Sequence, residues 1–208
     1  MTDAVEAPSA GAGKRPVQQR SRERVERMLA AATELIAAKG SDALKMSEVA
    51  ERAGVPIGSL YQFFPDKGAI IHRLAERCAE ESRDCIATGL ADVRDVAGFE
   101  RAFRDLYDLY YRIFLAQPAR RDIWFAVQAD KALRAMEIAE SRYNGAVLAG
   151  VLKRLRPDAD EKALEASAFL VMSLGEATVR LAVSVERAEG ERLMEGYKRM
   201  AVRELLGA

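Results

Sequence analysis

The segment MSEVAERAGVPIGSLYQFFPDK, residues 46–67, constrains the fold more than any other part of this 208-residue chain. Val49, Ala50 and Ala53 share one face of a short helix. Gly54 suits the positive φ of a helix C-terminus, while Pro56 blocks continuation and is well placed to begin a second helix. Two helices joined by a turn of three or four residues with a glycine form the helix-turn-helix geometry.

The spacing along the second helix predicts which side chains it buries. Ile57, Leu60, Phe63 and Phe64 form an apolar face, so Ser59, Tyr61 and Gln62 point elsewhere. Pro65 and Asp66 end this helix, and Asp66 is a good N-cap for the next. Ser47 is the expected N-cap of the first helix. An ordinary helical hairpin in an all-helical core would show much of this pattern, so the pattern alone leaves nucleic-acid binding open.

The residues themselves resemble a known family. The run from Val49 to Val55, followed by Gly58 to Lys67, resembles the signature of the TetR family of bacterial transcriptional regulators, and the resemblance extends upstream from Arg24 to Gly40. It covers about 50 residues. Beyond residue 75 only the architecture is similar. The resemblance implies sequence-specific binding to double-stranded DNA at a near-palindromic operator.

The same resemblance assigns candidate DNA contacts. Tyr61 and Lys67 correspond to phosphate contacts, with Ser47 assisting. Gln62 has the amide geometry that bonds adenine N6 and N7, and Ile57 can pack on a thymine methyl. Pro56 and Ile57 depart from the polar or basic residues of many relatives, which places much of the base readout on Gln62. The full set of expected DNA-binding residues is Ser47, Pro56, Ile57, Gly58, Ser59, Tyr61, Gln62 and Lys67.

The charge distribution near the N-terminus supports DNA binding by the helix-turn-helix segment. The chain as a whole carries 32 basic and 32 acidic side chains, which does not favour nonspecific polyanion binding. Residues 14–27, however, contain six basic side chains (Lys14, Arg15, Arg20, Arg22, Arg24 and Arg27) against Glu23 and Glu26. This excess directly precedes the helix-turn-helix, where phosphates would lie. A solvated helix face would have the same composition.

Helical periodicity runs through the rest of the chain, and we predict an all-α fold of about nine helices. Residues 1–17 are expected to form a disordered arm, 18–65 the helix-turn-helix domain, and 66–208 a ligand-binding and dimerisation domain. Beside the motif, helices are expected at about 18–39, 66–88, 96–117, 130–155, 159–188 and 191–206, with a short helix around Trp124. Gly40 and Gly190 are the expected helix stops after the first and eighth helices.

The last two helices predict a second copy of the chain. Residues 166–185 are apolar nearly all round, which requires burial on every side, and the final helix carries a further apolar stripe. In the family that the motif resembles, these two helices pair with their mates in a four-helix bundle. Two recognition helices would then reach successive major grooves about 34 Å apart. The predicted homodimer contacts are Phe169, Met172, Val179, Val183, Leu193, Tyr197 and Met200.

Aromatic side chains are concentrated in the fifth and sixth helices. The expected core stripe of the fifth helix is Phe99, Phe103, Leu106, Tyr110 and Ile113, with Tyr107, Tyr111 and Phe114 on a second face. Apolar walls with a few polar groups are typical of ligand pockets, although aromatic residues at helical spacing are also ordinary core. Glu176 and Arg180, four apart on one helix, could satisfy each other. The predicted ligand-binding residues are Phe103, Tyr107, Tyr111, Trp124, Phe125, Gln128, Glu176 and Arg180.

Three functional classes follow from these patterns. The favoured class is a repressor that an unknown small-molecule effector releases from its operator. A second is a DNA-binding dimer without such a ligand, controlled by a protein partner. An enzyme is a remote third: the only histidine, His72, has no metal ligands or nucleophile beside it, and no phosphate loop or serine elbow is present. We expect no catalytic residues, metal site or cofactor.

The sequence also bears on location. The N-terminus lacks the basic and then apolar pattern of a signal peptide, and Glu176 and Arg180 interrupt the most apolar stretch. We therefore expect a cytoplasmic protein without membrane spans. Cys78 and Cys85 are seven residues apart on one helix, a rise of about 10.5 Å that is too long for a disulfide. They are expected to be reduced thiols, and the sequence leaves open whether either has a redox role.

Overall fold

A computed structural model describes residues 14–207, apart from the side chains of residues 14–17 and 127–129. Within that range the chain is all-α, as predicted, and no strand is found. It divides into two compact units, one ending at Ile71 and the other beginning at His72, inside the fourth helix. The helices are α1 (Lys14–Lys39), α2 (Met46–Ala53), α3 (Ile57–Phe63), α4 (Lys67–Leu90), α5 (Val96–Ala116), α6 (Pro118–Ala129), α7 (Lys131–Leu155), α8 (Glu161–Ala182) and α9 (Arg187–Leu206).

The first unit, called the head, consists of α1, α2, α3 and the first residues of α4. Met28 and Ile36 of α1 are buried together with Val49 of α2 and Leu60 of α3. Val49 and Leu60 lie on faces that helical spacing predicted to be buried, whereas Ile57, predicted on the apolar face of α3, is 43% exposed at the first position of that helix. Helix α1 ends at Gly40 as expected (φ +83°), but it begins at Lys14, so residues 14–17 of the predicted arm are helical. The rest of the predicted arm, residues 1–13, lies outside the described residues.

The second unit, called the body, contains most of α4 and the helices α5 to α9. Its core includes Phe99, Phe103, Leu148 and Leu152. Gly145 permits close packing of α7 against α8, because a Cβ there would lie 2.9 Å from the backbone of Phe169. The N-termini of α5, α7, α8 and α9 are each capped by a carboxylate, from Asp95, Asp130, Asp160 and Glu186.

The boundary between α8 and α9 differs from the sequence prediction. Helix α8 ends at Ala182 rather than near residue 188, and α9 begins at Arg187. The carboxylate of Glu186 accepts hydrogen bonds from the backbone N–H groups of Ala188 and Glu189, which starts the last helix early. Gly190 is therefore not a helix stop. It lies inside α9, where a Cβ would collide with the carbonyl oxygen of Ala182.

Helix α8 is not completely covered by the single chain. Leu170, Leu174 and Leu181 are about half exposed on the single chain. No helix among residues 14–207 combines the length and the apolar character needed to cross a membrane.

Candidate nucleic-acid interface and ligand cavity

The turn between α2 and α3 has the geometry that the sequence predicted. Gly54 adopts the left-handed conformation (φ +64°), and the N–H of Val55 donates to the carbonyl of Ala50 at 3.0 Å. This hydrogen bond closes the end of α2. Pro56 then precedes α3, and its carbonyl accepts from the N–H groups of Ser59 and Leu60 at 2.9 and 3.2 Å. The two helices therefore reverse direction over very few residues.

Helix α3 exposes one continuous face. Ile57 is 43% exposed and Tyr61 is 51% exposed, and the neighbouring Gly58 and Gln62 are also exposed. Positions 57, 58, 61 and 62 repeat at helical spacing, so they form a single surface, called here the reading face. Leu60, on the other side of the helix, is fully buried. A short exposed helix with an amide, a phenol and an aliphatic side chain can enter a major groove.

Other predicted DNA contacts lie at the edges of this face. Ser59 is partly buried, and its Oγ accepts a hydrogen bond from the guanidinium of Arg24 at 3.2 Å. Lys67 is exposed, and its ammonium donates to the carbonyl of Asp42 at 2.8 Å. An ammonium has three donors, so this bond leaves Lys67 able to bind a phosphate. Pro56 is exposed at the entrance to α3.

Ser47 is exposed, but it is not the N-cap of α2. The helix begins at Met46, and Lys45 occupies the cap position without a side-chain hydrogen bond. The prediction of a serine cap was therefore wrong by two positions. The corresponding prediction for the next helix is confirmed, since Asp66 Oδ1 accepts from the N–H of Ala69 at 2.8 Å at the start of α4.

Basic side chains of α1 are open to solvent. Arg20, Arg22, Arg24 and Arg27 are all exposed, whereas the side chains of Lys14 and Arg15 lie outside the described part of the chain. Exposed arginines on one short stretch create a positive potential that attracts a polyanion.

The body contains two adjacent cavities, of about 170 and 70 Å³. The larger is lined by α4, α5, α7 and α8, with Ile86, Phe103, Tyr107 and Leu148 among its apolar walls. The smaller lies beside Trp124 and Phe114. Both cavities share the same dividing wall, which consists of Ser82, Tyr110, Arg120, Asn144 and Glu176. Together they form an apolar chamber with a polar partition, called here the ligand cavity.

The faces of α5 are assigned differently from the sequence prediction. Tyr107, Tyr111 and Phe114 are buried in the core, while Leu106, Tyr110 and Ile113 of the expected core stripe line the ligand cavity. Tyr107 fits there because Gly175 of α8 leaves room for its ring, and its hydroxyl accepts from that of Tyr197 at 3.0 Å. Contacts with α8 and α9 decide which side chains of α5 are buried in the core and which line the cavity. The periodicity of α5 alone cannot reveal these contacts.

Glu176 carries the most perturbed carboxyl group of the cavity wall. Burial, followed by the charge of Glu137, raises the pKa of Glu176 to about 8, and a hydrogen bond from Ser141 partly opposes the shift. Glu176 is therefore largely protonated near neutral pH. It is linked by hydrogen bonds to both Ser141 and Glu137.

Arg180 forms an ion pair with a different residue from Glu176, the partner that the sequence suggested. It donates to Glu137 at 2.8 Å instead of satisfying Glu176, and its guanidinium stacks over Trp124 at 4.8 Å from the ring centre. Two further arginines follow the same pattern: Arg83 pairs with Glu140 at 2.9 Å, and Arg120 pairs with Glu81.

The predicted ligand-binding residues are divided by the structure. Phe103, Tyr107, Trp124 and Glu176 line the ligand cavity. Tyr111 does not, because its hydroxyl is turned to the carbonyl of Ala182 at 3.4 Å. Phe125, which is 43% exposed, and Arg180, which is paired as above, also fall outside the lining. The side chain of Gln128 lies outside the described part of the chain.

Sequence reasoning missed Asn144, Tyr110, Arg120 and Glu140, which all line the cavity. Asn144 had a usable signal, since it is a lone amide next to the apolar run from Gly145 to Gly150 and is only 3% exposed. Nothing in the sequence singles out Arg120 or Glu140 as a cavity residue, because charged residues are frequent throughout these helices.

Both cysteines lie beside the cavity, Cys78 at its smaller part and Cys85 at its larger part. Burial raises the pKa of both thiols, against the opposing charge of Arg120. Both are free thiols, and a raised pKa lowers their reactivity as nucleophiles.

The predicted dimer contacts fall into two groups. Met172, Val179 and Tyr197 are buried in the core of the single chain. Phe169, Val183 and Leu193 are partly exposed, and Met200 is 60% exposed. The apolar side chains that the single chain leaves uncovered on α8 are instead Leu170, Leu174 and Leu181.

Known proteins share both sequence and fold with this chain. Residues 28–74 match the family model of bacterial regulatory proteins of the tetR family. Residues 97–207 match the model described as tetracyclin repressor-like, C-terminal domain. No curated protein sequence matches the chain significantly.

Solved structures extend the comparison over nearly the whole chain. A TetR-family transcriptional regulator from Streptomyces coelicolor is 27% identical, with a TM-score of 0.67 over 90% of this chain and 98% of its own. The fatty acid degradation regulator FadR from Bacillus halodurans is 18% identical, with a TM-score of 0.62 over 89% and 95%. A TetR transcriptional regulator from Rhodococcus sp. RHA1 is also 18% identical, with a TM-score of 0.60 over 88% and 97%. The last two show similarity of fold alone.

Proposed function

The chain belongs to the tetR family of bacterial regulatory proteins, and we propose that it is a repressor that a small molecule releases from its operator. The family establishes a DNA-binding transcriptional regulator. The observation that carries the proposal is the combination of the reading face on α3 with a mainly apolar cavity in the body. The description of the model matching residues 97–207, which is tetracyclin repressor-like, favours repression over activation.

In this proposal, base recognition and phosphate binding are carried out by different residues of the head. Gln62 bonds a base edge and Ile57 contacts a thymine methyl, which gives sequence discrimination. Tyr61, Lys67 and the exposed arginines of α1 bind phosphates, which gives affinity and register. The exposure of Ile57, Tyr61 and Gln62 supports these roles, as does the open space around Gly58, where a Cβ would have no neighbour within 4 Å.

We further propose that two copies assemble through α8 and α9. Leu170, Leu174 and Leu181 recur at helical spacing on one face of α8 and are about half exposed. Leu170 and Leu174 also border a groove with Met200 of α9. A continuous apolar surface of this kind is typical of an interface, and a two-fold dimer matches a near-palindromic operator. Such a regulator would act where the DNA lies, in the cytoplasm.

Helix α4 offers the connection between ligand and DNA. Glu81, Ser82, Cys85 and Ile86 of this helix line the ligand cavity, and Lys67 is its first residue. A ligand that displaces α4 would therefore displace a proposed phosphate contact. For release to follow, the ligand must prefer the conformation that binds DNA poorly, and DNA must weaken ligand binding by the same factor.

Thermal unfolding against a panel of small molecules tests the sensor. A compound present at 100 times its Kd stabilises the folded protein by about 2.7 kcal/mol. Ile113→Phe would fill part of the cavity and should abolish the stabilisation, whereas Leu109→Phe, on the exposed side of the same helix, should retain it. The stabilising compounds should also release bound DNA. Stabilisation that is equal in both variants, or that leaves DNA binding unchanged, would contradict the proposal.

A further inference from the structure

Two buried acceptors in the walls of the ligand cavity have no hydrogen-bond partner among the described residues. Asn144 is 3% exposed, lines both parts of the cavity, and has no partner for its Oδ1 within the described residues. Glu140 Oε1 accepts from Arg83, but its Oε2 is buried without a hydrogen-bond partner in the same range. A buried acceptor without a donor costs about 1–3 kcal/mol. A ligand that brings N–H donors would relieve this cost at two positions.

Charge at the same wall favours a cation. The carboxylate of Glu81 is paired with Arg120 and Arg77, that of Glu137 with Arg180, and that of Glu140 with Arg83. The fourth carboxyl group, of Glu176, forms no ion pair within the described part of the chain and is hydrogen-bonded to Ser141 and Glu137 instead. Glu176 is therefore the carboxyl group of the wall whose ionised form an added positive charge would balance.

The size of the cavity limits the rest of the ligand. A cavity of about 150 Å³ holds benzene in other proteins, so the larger part, at about 170 Å³, accommodates one ring. Its walls are mainly apolar side chains, including Phe103, Leu106, Ile113, Leu148 and Met172. The Nε–H of Arg120, which has no partner among the described residues, adds one donor that could bond to an oxygen atom of the ligand.

We propose that the effector is an organic amine, with a protonated nitrogen bound between Glu176, Asn144 and Glu140 and an apolar body of about one ring. This inference deepens the proposed function and rests on it for the effect on DNA. Binding of the amine itself can be measured without DNA.

Amine binding should release a proton. The carboxyl group of Glu176 is largely protonated in the free protein near pH 7, and an ammonium group beside it would favour the carboxylate. Titratable and charged groups that act on Glu176 or share its cavity come from all the surrounding helices. They are Glu81, Cys78 and Cys85 (α4), Tyr107 and Tyr110 (α5), Arg120 (α6), Glu137 and Glu140 (α7), Arg180 (α8) and Tyr197 (α9). The two arginines among them, Arg120 and Arg180, are already paired, so Glu176 is the group expected to ionise.

The test compares primary phenylalkylamines containing one to four methylene groups with the alcohols and carboxylates of the same skeletons. Trp124, the only tryptophan of the chain, lines the smaller part of the cavity and reports binding by its fluorescence. At least one amine should bind about tenfold or more tightly than its alcohol, because a charge-assisted hydrogen bond replaces a neutral one. Calorimetry at pH 7 in buffers of different ionisation enthalpy should show proton release for the amine alone.

Glu176→Gln is the decisive variant, since glutamine keeps the size and a donor of the protonated acid. It should lose about ten- to hundredfold in amine affinity and lose the proton release, with little change for the alcohol. Glu165→Gln, an exposed position on the same helix, is the matched control and should behave as wild type. If no amine binds better than its alcohol, if the carboxylate binds best, or if Glu176→Gln binds amines as wild type does, the inference is overturned.

These outcomes separate the two proposals. An amine that binds with proton release but leaves DNA binding unchanged would support the inference and contradict ligand-controlled repression. Release of DNA by neutral or anionic compounds, with no response to amines, would support the proposed function and overturn the inference.

Discussion

Single residues of the head have separable roles in base recognition and phosphate binding. The variant Gln62→Ala tests base recognition. Gln62→Ala should reduce discrimination between the preferred duplex and a random one by about 1–3 kcal/mol, since a bidentate contact to one base edge is lost. Binding to random DNA should change little. Fluorescence anisotropy on both duplexes measures the difference. Equal losses on the two would show that Gln62 reads no base.

Lys67 should give the complementary result. Lys67→Ala is expected to weaken binding to all sequences alike and to reduce the slope of log K against log salt by about one, because one phosphate contact disappears. Lys67 also bonds the carbonyl of Asp42, so thermal unfolding of the variant must be measured alongside. A salt slope identical to that of wild type would remove Lys67 from the phosphate contacts.

Glu176 should leave a signature in the pH dependence of stability. Its pKa is about 8 in the folded state against an ordinary 4.5, so between these values the folded protein holds more protons than the unfolded chain. The free energy of unfolding should therefore fall as pH rises through this window, by up to about 1.4 kcal/mol per pH unit. The contribution of Glu176 to the free energy of unfolding has its full value below pH 4.5 and is lost as the pH rises through 8.

Glu176→Gln removes that titration, so its urea-unfolding free energy should fall less steeply than that of wild type from pH 5.5 to 8.5. Glu165→Gln should follow wild type. Parallel curves for wild type and Glu176→Gln would contradict the assignment of the raised pKa to this carboxyl group.

Among the elements, the turn between α2 and α3 depends on one backbone conformation. Gly54→Ala should destabilise the protein by about 1–2 kcal/mol, because Gly54 has φ +64° and a side chain is strained there even though space is open. Gly58→Ala is the matched control, since Gly58 lies in a helix with normal φ and open space. It should be neutral or stabilise by up to about 1 kcal/mol. Thermal unfolding of both variants measures the difference in stability between them. Equal stabilities would show that the turn does not require the positive φ of Gly54.

Predictability also differs from element to element. The turn and the caps at Gly40, Gly54 and Asp66 followed from local chemistry, because glycine, proline and aspartate act within a few residues of themselves. The faces of α5 did not, since Tyr107 is placed by Gly175 and Tyr197, which are distant in sequence. The end of α8 was also missed, because a carboxylate at Glu186 starts α9 before the expected glycine stop.

At the level of the whole molecule, the proposed dimer depends on the apolar surface of α8. Leu170→Glu should raise the dimer dissociation constant by about a hundredfold or more, because an unpaired charge in an interface costs about 3–5 kcal/mol. Ile138→Glu is the matched control, since Ile138 on α7 is exposed to the same degree, 54% against 52%. Sedimentation at micromolar concentration distinguishes them. A dimer that tolerates Leu170→Glu would place the interface elsewhere.

The candidate sites were predictable to different extents for the same physical reason. The reading face lies on one short helix, so spacing identified Tyr61 and Gln62 as outward-facing, whereas Ile57 was assigned to the DNA by the family resemblance. The ligand cavity is assembled from several helices, and its acceptor wall joins Asn144 to Glu176, 32 positions further along the chain. Sequence patterns found Glu176 as a charge in an apolar helix but could not show its neighbours.

Selection of duplexes from a random-sequence pool tests the central claim, that this chain reads DNA as a pair of reading faces. Wild type should enrich a near-palindromic site whose half-sites lie about one helical turn apart, or a multiple of it, with two protomers bound per duplex. A variant lacking Tyr61 and Gln62 side chains should enrich none. Failure of wild type to enrich any sequence, or enrichment of an isolated half-site bound by one protomer, would contradict the account.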